Sequence, residues 1–299
     1  MAVAGAGRLD PGRSAELQDL LNRWIFHPLA GWLARVLLPT GISANALSVA
    51  GLLAFFVSTW AYLRVDPPAG VLLGLAMMLL WHVFDGADGD LARLKGTSSP
   101  TGELVDGVCD YLGNTVMYFA FAFHLDNAIG GWAWLLAAGT GASHVLQTNH
   151  AESQRRAYLW RAYGVPWLRN AADAGDAVFR RESWFTRYFG FWAVGYMWLA
   201  DRTTLGGDAI DAALTRAAGD ARETRRIRAI VRRASRGSLR FQKLLGANPK
   251  TFLIVASMAL GSPIYYFLAM IFGVNLLLLA SVVHHKRANS RIAASLNRR

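Results

Sequence analysis

The chain has little of the charge that a soluble enzyme of its length carries. Charged residues make up 17% of its 299 positions against 54% hydrophobic ones, and the mean hydropathy is +0.25. That balance argues against an ordinary water-soluble enzyme and for an integral membrane protein. It has one cysteine, Cys109, so no intramolecular disulfide can form and the redox compartment stays open. Small-residue packing is the expected role of that thiol. Acidic residues are also scarce, twenty against thirty-one Lys and Arg, for a net charge of +11. The basic excess gathers in 150–250 and 286–299, flanking long apolar runs. Lys and Arg placed that way mark the cytoplasmic side and meet anionic head groups, so nucleic acid is not expected as a partner. Internal repeats and low-complexity tracts are absent, and the N-terminus lacks the basic-then-apolar order of a cleaved signal peptide.

What is present reads as helices in a membrane. Residues 1–16 form a Gly/Ala-rich polar stretch, expected to be a mobile tail. Residues 17–38 alternate apolar and basic residues at helical spacing, with Trp24 and Trp32 among them and Pro28 as an expected break. This suits an amphipathic helix lying in the membrane interface. Spans are expected over 45–63, from 71 through 84 and onward, over 104–123 and over 132–145, with turns at Asp66-Pro67-Pro68 and at 126–131. The segments 150–185 and 208–248 are too charged to cross and are expected on the cytoplasmic side. A single crossing at 188–199 would separate them, so that stretch reads as a re-entrant or interfacial helix. The last apolar run divides at Gly261-Ser262-Pro263 into a shorter span over 247–261 and a full one over 263–283, since proline suits the first turn of a helix. The expected fold is all-α and integral to the membrane, with about six transmembrane helices plus an N-terminal interfacial amphipathic helix. The domain boundaries follow: 1–40 for the tail and interfacial helix, 41–299 for the membrane domain, with a basic elaboration at about 150–248.

The chemistry is concentrated between the second and third spans. There the sequence reads Asp85-Gly86-Ala87-Asp88-Gly89-Asp90-Leu91-Ala92-Arg93, then eight residues, Gly102, three residues, Asp106, three residues, Asp110. In a helix Asp85, Asp88, Gly89 and Ala92 share one face, as do Gly102, Asp106 and Asp110. Two helices joined by a short loop can point the four carboxylates at one another. Carboxylates at membrane depth are costly unless paired, hydrated or metal-bound, and four together repel without cations. Hard divalent ions bridge carboxylates to phosphates, so the cluster calls for metal and a phosphorylated ligand. Gly89, Ala92 and Gly102 leave room for a flat base or a pyrophosphate.

The run resembles the complete signature of the CDP-alcohol phosphatidyltransferase family, D-x2-D-G-x2-A-R-x8-G-x3-D-x3-D, with every fixed position matched over about 26 residues. The resemblance implies a helical membrane fold with a cytoplasm-facing polar cavity, in a bacterial or archaeal cell membrane. It implies that Asp85, Asp88, Asp106 and Asp110 hold two Mg2+ or Mn2+ ions, and that Asp110 is also the general base on the acceptor hydroxyl. Gly89, Ala92, Arg93 and Gly102 would receive the cytidine diphosphate part of the donor. The implied reaction moves a substituted phosphate from a CDP-alcohol to a lipid or polyol alcohol, releasing CMP. Membrane lipids are expected partners, and the resemblance allows a homodimer. Upstream, Ile42 to Ser48 resembles the family's P-N-x-x-T element, with Ala44 and Ser48 replacing the Pro and Thr; Asn45 is expected either at a phosphate or as a helix cap.

Donor and acceptor stay open. Ser99 to Leu104 and Cys109-Asp110 locally resemble choline- and ethanolaminephosphotransferases, but Gly107 stands where those carry His. The N-terminal amphipathic stretch resembles archaeal-type enzymes that join CDP-inositol to inositol phosphate, and CDP-diacylglycerol users fit as well. Acceptor contacts are expected at the end of the fourth span, from His144, Asn149, Arg155 and Arg156, with a charged helix end as the plainer reading. His82 reads as a packed, hydrogen-bonded residue. The competing function is a non-catalytic membrane transporter or scaffold with a relic cation site.

Overall fold

The structure is a computed structural model and describes residues 16–165, 195, 198–199 and 206–297. A π-helical turn, Asn22–Phe26, leads into α1, His27–Leu37, and four long helices follow: α2 (Ala44–Arg64), α3 (Ala69–Lys95), α4 (Pro100–Ile129) and α5 (Trp132–Tyr163). After the region outside the description come three short helices, α6 (Asp208–Arg216), α7 (Ala221–Ser235) and α8 (Ser238–Leu245). Then α9 (Ala247–Ala259), α10 (Ile264–Leu268), a π segment Ala269–Val274 and α11 (Asn275–Asn297) complete the chain. Among the described residues there is no strand.

Local chemistry explains the hairpin that matters most. Helix α3 stops where Gly96 takes a left-handed conformation, φ 68°, and its N–H bonds back to the carbonyls of Ala92 and Arg93. Ser99, extended, then starts α4 by accepting from the N–H of Gly102, with proline pre-set for the first turn. Three residues between the cap of one helix and the first residue of the next leave no slack, so α3 and α4 keep a fixed register. A 27-residue helix rises about 40 Å, more than the roughly 30 Å of a bilayer core. The aspartate-bearing end of α3 can therefore reach the head-group region while its apolar start fills the core.

Burial is partly inverted relative to a soluble protein. Leu53, Trp60, Leu72, Phe119, Phe123, Trp132, Leu135, Phe272, Leu276 and Leu279 are exposed, whereas Gln147, Asn149, His150, Lys250 and Ser281 are buried. This is the pattern of a chain whose apolar exterior meets lipid. Among the described residues three helices are long and apolar enough to cross a membrane, Ala44–Arg64, Ala69–Lys95 and Ile264–Leu296. Between them lies a core of Phe55, Met78, Trp81, Met117, Phe121, Tyr266 and Phe267, where close packing rather than escape from water holds the helices. A smaller group, Ala30, Ala34, Leu47, Ala87 and Leu91, seats α1 against α2 and α3 through small side chains. A second large core joins Tyr158, Leu159 and Ala162 of α5 to Ile210, Leu214, Ile227, Val231, Leu239 and Ile292. Arg161 of α5 clamps it with a two-pronged ion pair to Asp211 of α6, both bonds at 2.8 Å.

The elements depart from expectation in three places. Pro28 does not break the first helix: it lies in the first turn of α1, where a missing N–H costs nothing, and the irregularity is the π turn before it. Helix α5 does not end near residue 145 but continues to Tyr163, because its polar second half packs on α6, α7, α8 and α11. Asn45 is not the cap of α2; that is Ser43, which accepts from the N–H of Ala46. The expected tail over 1–16 and the re-entrant helix over 188–199 lie almost wholly outside the described residues.

Candidate active site

The α3–α4 hairpin brings the predicted carboxylates together. Asp85, Asp106 and Asp110 each place a carboxylate oxygen within 4.8 Å of the others. Asp88 stands beside this group, next to Asp106, and is buried; its Oδ2 accepts a 2.5 Å hydrogen bond from the Ser48 hydroxyl of α2. Trp81, one turn before Asp85, donates its indole N–H to Oδ1 of Asp110 at 3.2 Å. Asn114 donates to the main-chain carbonyl of Asp110. One side of α4 thus runs Asp106, Asp110, Asn114, Tyr118 at intervals of four.

The residues fit a divalent cation. Three hard oxygens converge from two helices, and no Lys or Arg forms an ion pair with Asp85, Asp106 or Asp110 among the described residues. The motif arginine, Arg93, is held by Asp90 at 2.6 Å instead. Carboxylates at such spacing repel unless a cation joins them. Asp90 and Glu103 act outside the cluster, Asp90 toward Arg93 and Glu103 toward Arg156.

The small residues of the motif lie on both helices of the hairpin, Gly89 and Ala92 on α3 and Gly102 on α4. A Cβ at Gly89 would sit 3.3 Å from the Arg93 guanidinium. One at Gly102 would come within 3.4 Å of Ser99 Oγ and 4.0 Å of Asn45 Oδ1, so the first turns of α2 and α4 lie side by side. Ala92 lies on the same side of α3 as Asp85 and Asp88.

The predicted acceptor residues separate into two groups. His144 bonds Tyr118 at 2.5 Å and so reaches the polar side of α4. Asn149 is fully buried, in the stretch where Gln147 bonds the Met270 carbonyl and Asn275, and His150 bonds Ser281. That stretch ties α5 to the last helices. Arg155 and Arg156 both grip Glu152, and Arg156 also reaches Glu103 of α4 at 3.7 Å. Burial pushes the Glu152 carboxyl up, but the two guanidiniums outweigh it and hold it at about 2. His82 is packed as expected, stacked on Phe26 and bonded to Thr251 Oγ1 at 2.9 Å.

Sequence reasoning missed Ser48, Trp81, Asn114 and Tyr118 as neighbours of the cluster. For the last three a signal existed, since they extend the aspartate ladders by one turn or two. Ser48 stands at the Thr position of the P-N-x-x-T-like element, but its partner Asp88, forty positions away, is not readable from that element.

Comparison with known proteins agrees with this geometry. Residues 41–161 match the family model for CDP-alcohol phosphatidyltransferase. Cholinephosphotransferase 1 of Gallus gallus is 32% identical over 118 residues, 37% of this chain and 35% of that one. Phosphatidylinositol phosphate synthase of Mycobacteroides abscessus is 25% identical over 130 residues, 44% of this chain and 53% of that one. The chain thus matches between about a third and a half of the length of these relatives.

Proposed function

We propose, from a chain whose residues 41–161 match the family model for CDP-alcohol phosphatidyltransferase, that it transfers a substituted phosphate group from a CDP-alcohol to an alcohol acceptor in polar-lipid synthesis. The observation that carries this reading is the convergence of Asp85, Asp106 and Asp110 within 4.8 Å, with Asp88 fixed beside them by Ser48. The relatives' names supply the two donor classes to test, choline-type and phosphatidyl-type. A non-catalytic transporter or scaffold is not favoured, because every carboxylate of the motif is retained and clustered.

In this reading Asp85, Asp88, Asp106 and Asp110 hold two Mg2+ or Mn2+ ions, which when bound neutralise the donor pyrophosphate. Gly89, Ala92 and Gly102 admit the cytidine diphosphate, with Asn45 and Arg93 at its edge. Asp110 takes the proton of the acceptor hydroxyl at Oδ2, since Trp81 already donates to Oδ1. The acceptor oxygen bonds to the phosphorus bearing the transferred alcohol, the bond from that phosphorus to the bridging oxygen breaks, and CMP leaves. The hairpin's fixed register supplies orientation. Six helices, α2 to α5, α9 and the α10–α11 unit, cross the membrane, with the site facing the cytoplasm of a bacterial or archaeal cell. The basic runs beside the apolar ones support that orientation.

The test is CMP release by purified protein in lipid nanodiscs, with a panel of CDP-alcohols and of lipid and polyol acceptors, with Mg2+, Mn2+ or chelator. Metal-dependent release is expected from at least one pair, and Asp110→Asn should lower kcat by about 10³-fold, within the range of a lost general base. Metal binding without CMP from any pair would overturn the reading.

A further inference from the structure

Helix α7 carries its outward charge on one side. It holds six arginines, of which Arg222, Arg225, Arg226 and Arg233 are exposed. Arg228 and Arg232 are half-buried and donate to the carbonyls of Tyr163 and Ala162, at the end of α5. Ile227 and Val231 are buried in the core shared with α5, α6 and α11. Arg236, exposed and still helical in its backbone, continues the outer row. With 3.6 residues per turn, the outer arginines fall within an arc of about 100° and span roughly 21 Å along the axis. Residues 221–240 contain eight arginines and one acid, Glu223, which bonds Arg226. Arg222, Arg225, Arg233, Arg236 and Arg240 form no ion pair among the described residues. Several of these arginines stand three or four positions apart, the spacing at which like charges destabilise a helix. A partner of opposite charge reverses that sign.

The fold places this row beside a bilayer. Only Gly246 separates α8 from α9, the shorter span of the proposed layout. The last apolar helix, Ile264–Leu296, runs from its lipid-facing half into the same core, where Ile292 joins Ile227 and Val231. On α8, Arg240 and Leu244 stand four positions apart and both are exposed, Leu244 by 51%. A cation beside an apolar tip suits the boundary between head groups and acyl chains. Nucleic acid would answer the charge of the row, but not an exposed leucine at the root of a membrane helix. Guanidinium forks match phosphate oxygens two at a time, so the phosphodiesters of acidic lipids meet the row geometrically as well as by charge.

We propose that the arginine face of α7 and α8 docks on the acidic head groups of the bilayer that holds the protein, and that it selects an anionic surface over a zwitterionic one. Basic residues beside a span ordinarily set only which side of the membrane a loop occupies. Here a folded helix, tied to α5 through Arg228 and Arg232, presents a fixed row of guanidiniums to the lipid. The contact is electrostatic and inserts no apolar side of α7, because Ile227 and Val231 are already buried.

The test measures how close α7 lies to the lipid. Cys109→Ser removes the only cysteine, and Ala229→Cys, exposed within the row, then takes a fluorophore. The full-length protein is placed in nanodiscs of phosphatidylcholine, or of equal parts phosphatidylcholine and phosphatidylglycerol, each with a trace of lipid spin-labelled at the head group. Quenching should be roughly threefold stronger in the anionic discs, as expected for a polybasic surface drawn to acidic lipid. Salt at 1 M, which shortens the screening length to about 3 Å, should abolish the difference. Arg222→Gln, Arg225→Gln and Arg233→Gln together should abolish it too, and lysine at the same positions should keep most of it. The salt series needs no charge variant, so it decides the matter even if the glutamine protein does not fold. Equal quenching in the two discs, or a difference that survives both salt and the glutamine variant, would overturn the proposal. So would a label that ignores lipid but responds to an added RNA oligonucleotide, which would assign the row to nucleic acid. None of these readouts involves CMP, so the docking face and the transferase reading stand or fall separately.

Discussion

Ser48 of α2 donates its hydroxyl to Oδ2 of Asp88 over 2.5 Å, with both residues buried. This bond holds Asp88 to one side of the three converging carboxylates, where it also bonds the Gly89 backbone and the Asp106 side chain. Groups that orient a metal-binding carboxylate change metal affinity or activity by about 10–100-fold when removed. Ser48→Ala should therefore raise the Mg2+ concentration for half-maximal CMP release by about that factor, and Ser48→Thr should restore it. An unchanged metal midpoint in the alanine variant would show that Asp88 needs no such support.

The carboxylate cluster should cost stability whenever cation is withheld. With chelator present, Asp106→Asn is expected to raise the melting temperature by about 3 °C, the shift that roughly 1 kcal/mol of relieved repulsion gives in a chain of this size. Saturating Mg2+ or Mn2+ should reverse the order, since binding at about 100 times Kd adds on the order of 2.7 kcal/mol to the wild type. Melting curves of both proteins with and without metal check this, and a wild type indifferent to metal would contradict it.

Acid should loosen the second half of α5 through Glu152. Its carboxyl titrates at about 2 in the folded protein against an ordinary 4.5: burial raises it, but the two adjacent guanidiniums dominate. A depressed folded value means that the contribution is complete above about pH 4.5 and disappears as pH falls toward 2. Glu152→Gln should flatten the acid-induced loss of stability across that window and leave the slope above pH 5 alone. Acid titration of helix content in both proteins measures it, and parallel curves would remove Glu152 from the account.

The hairpin was legible in the sequence because its determinants are local. The i, i+3 and i+4 spacing of Asp85, Asp88, Asp106 and Asp110 needs only a helix, and Gly96 with Ser99-Pro100 needs only a turn. The supports were less legible, since Ser48 and His82 acquire partners through the packing of helices distant along the chain. The fourth span was expected to end near residue 145, with the polar residues after it read as acceptor contacts or a charged helix end, yet Gln147, Asn149 and His150 are buried against the final helices. Their polarity answers the polar groups of those helices, and no periodicity within the segment reveals that. Pro28 was misread for the opposite reason, since a local rule about breaking helices does not apply in a first turn.

The short α3–α4 connection has a consequence for the order of assembly. All four motif aspartates belong to one hairpin, which can close as soon as α4 has emerged from the ribosome and entered the bilayer. His82, by contrast, waits for Thr251, 169 positions later. The aspartate hairpin is therefore old and its packing against the last helices young within the lifetime of each nascent chain. A truncated protein ending after α5 would be an unfinished intermediate whose carboxylates have met before the helix that carries Thr251 exists.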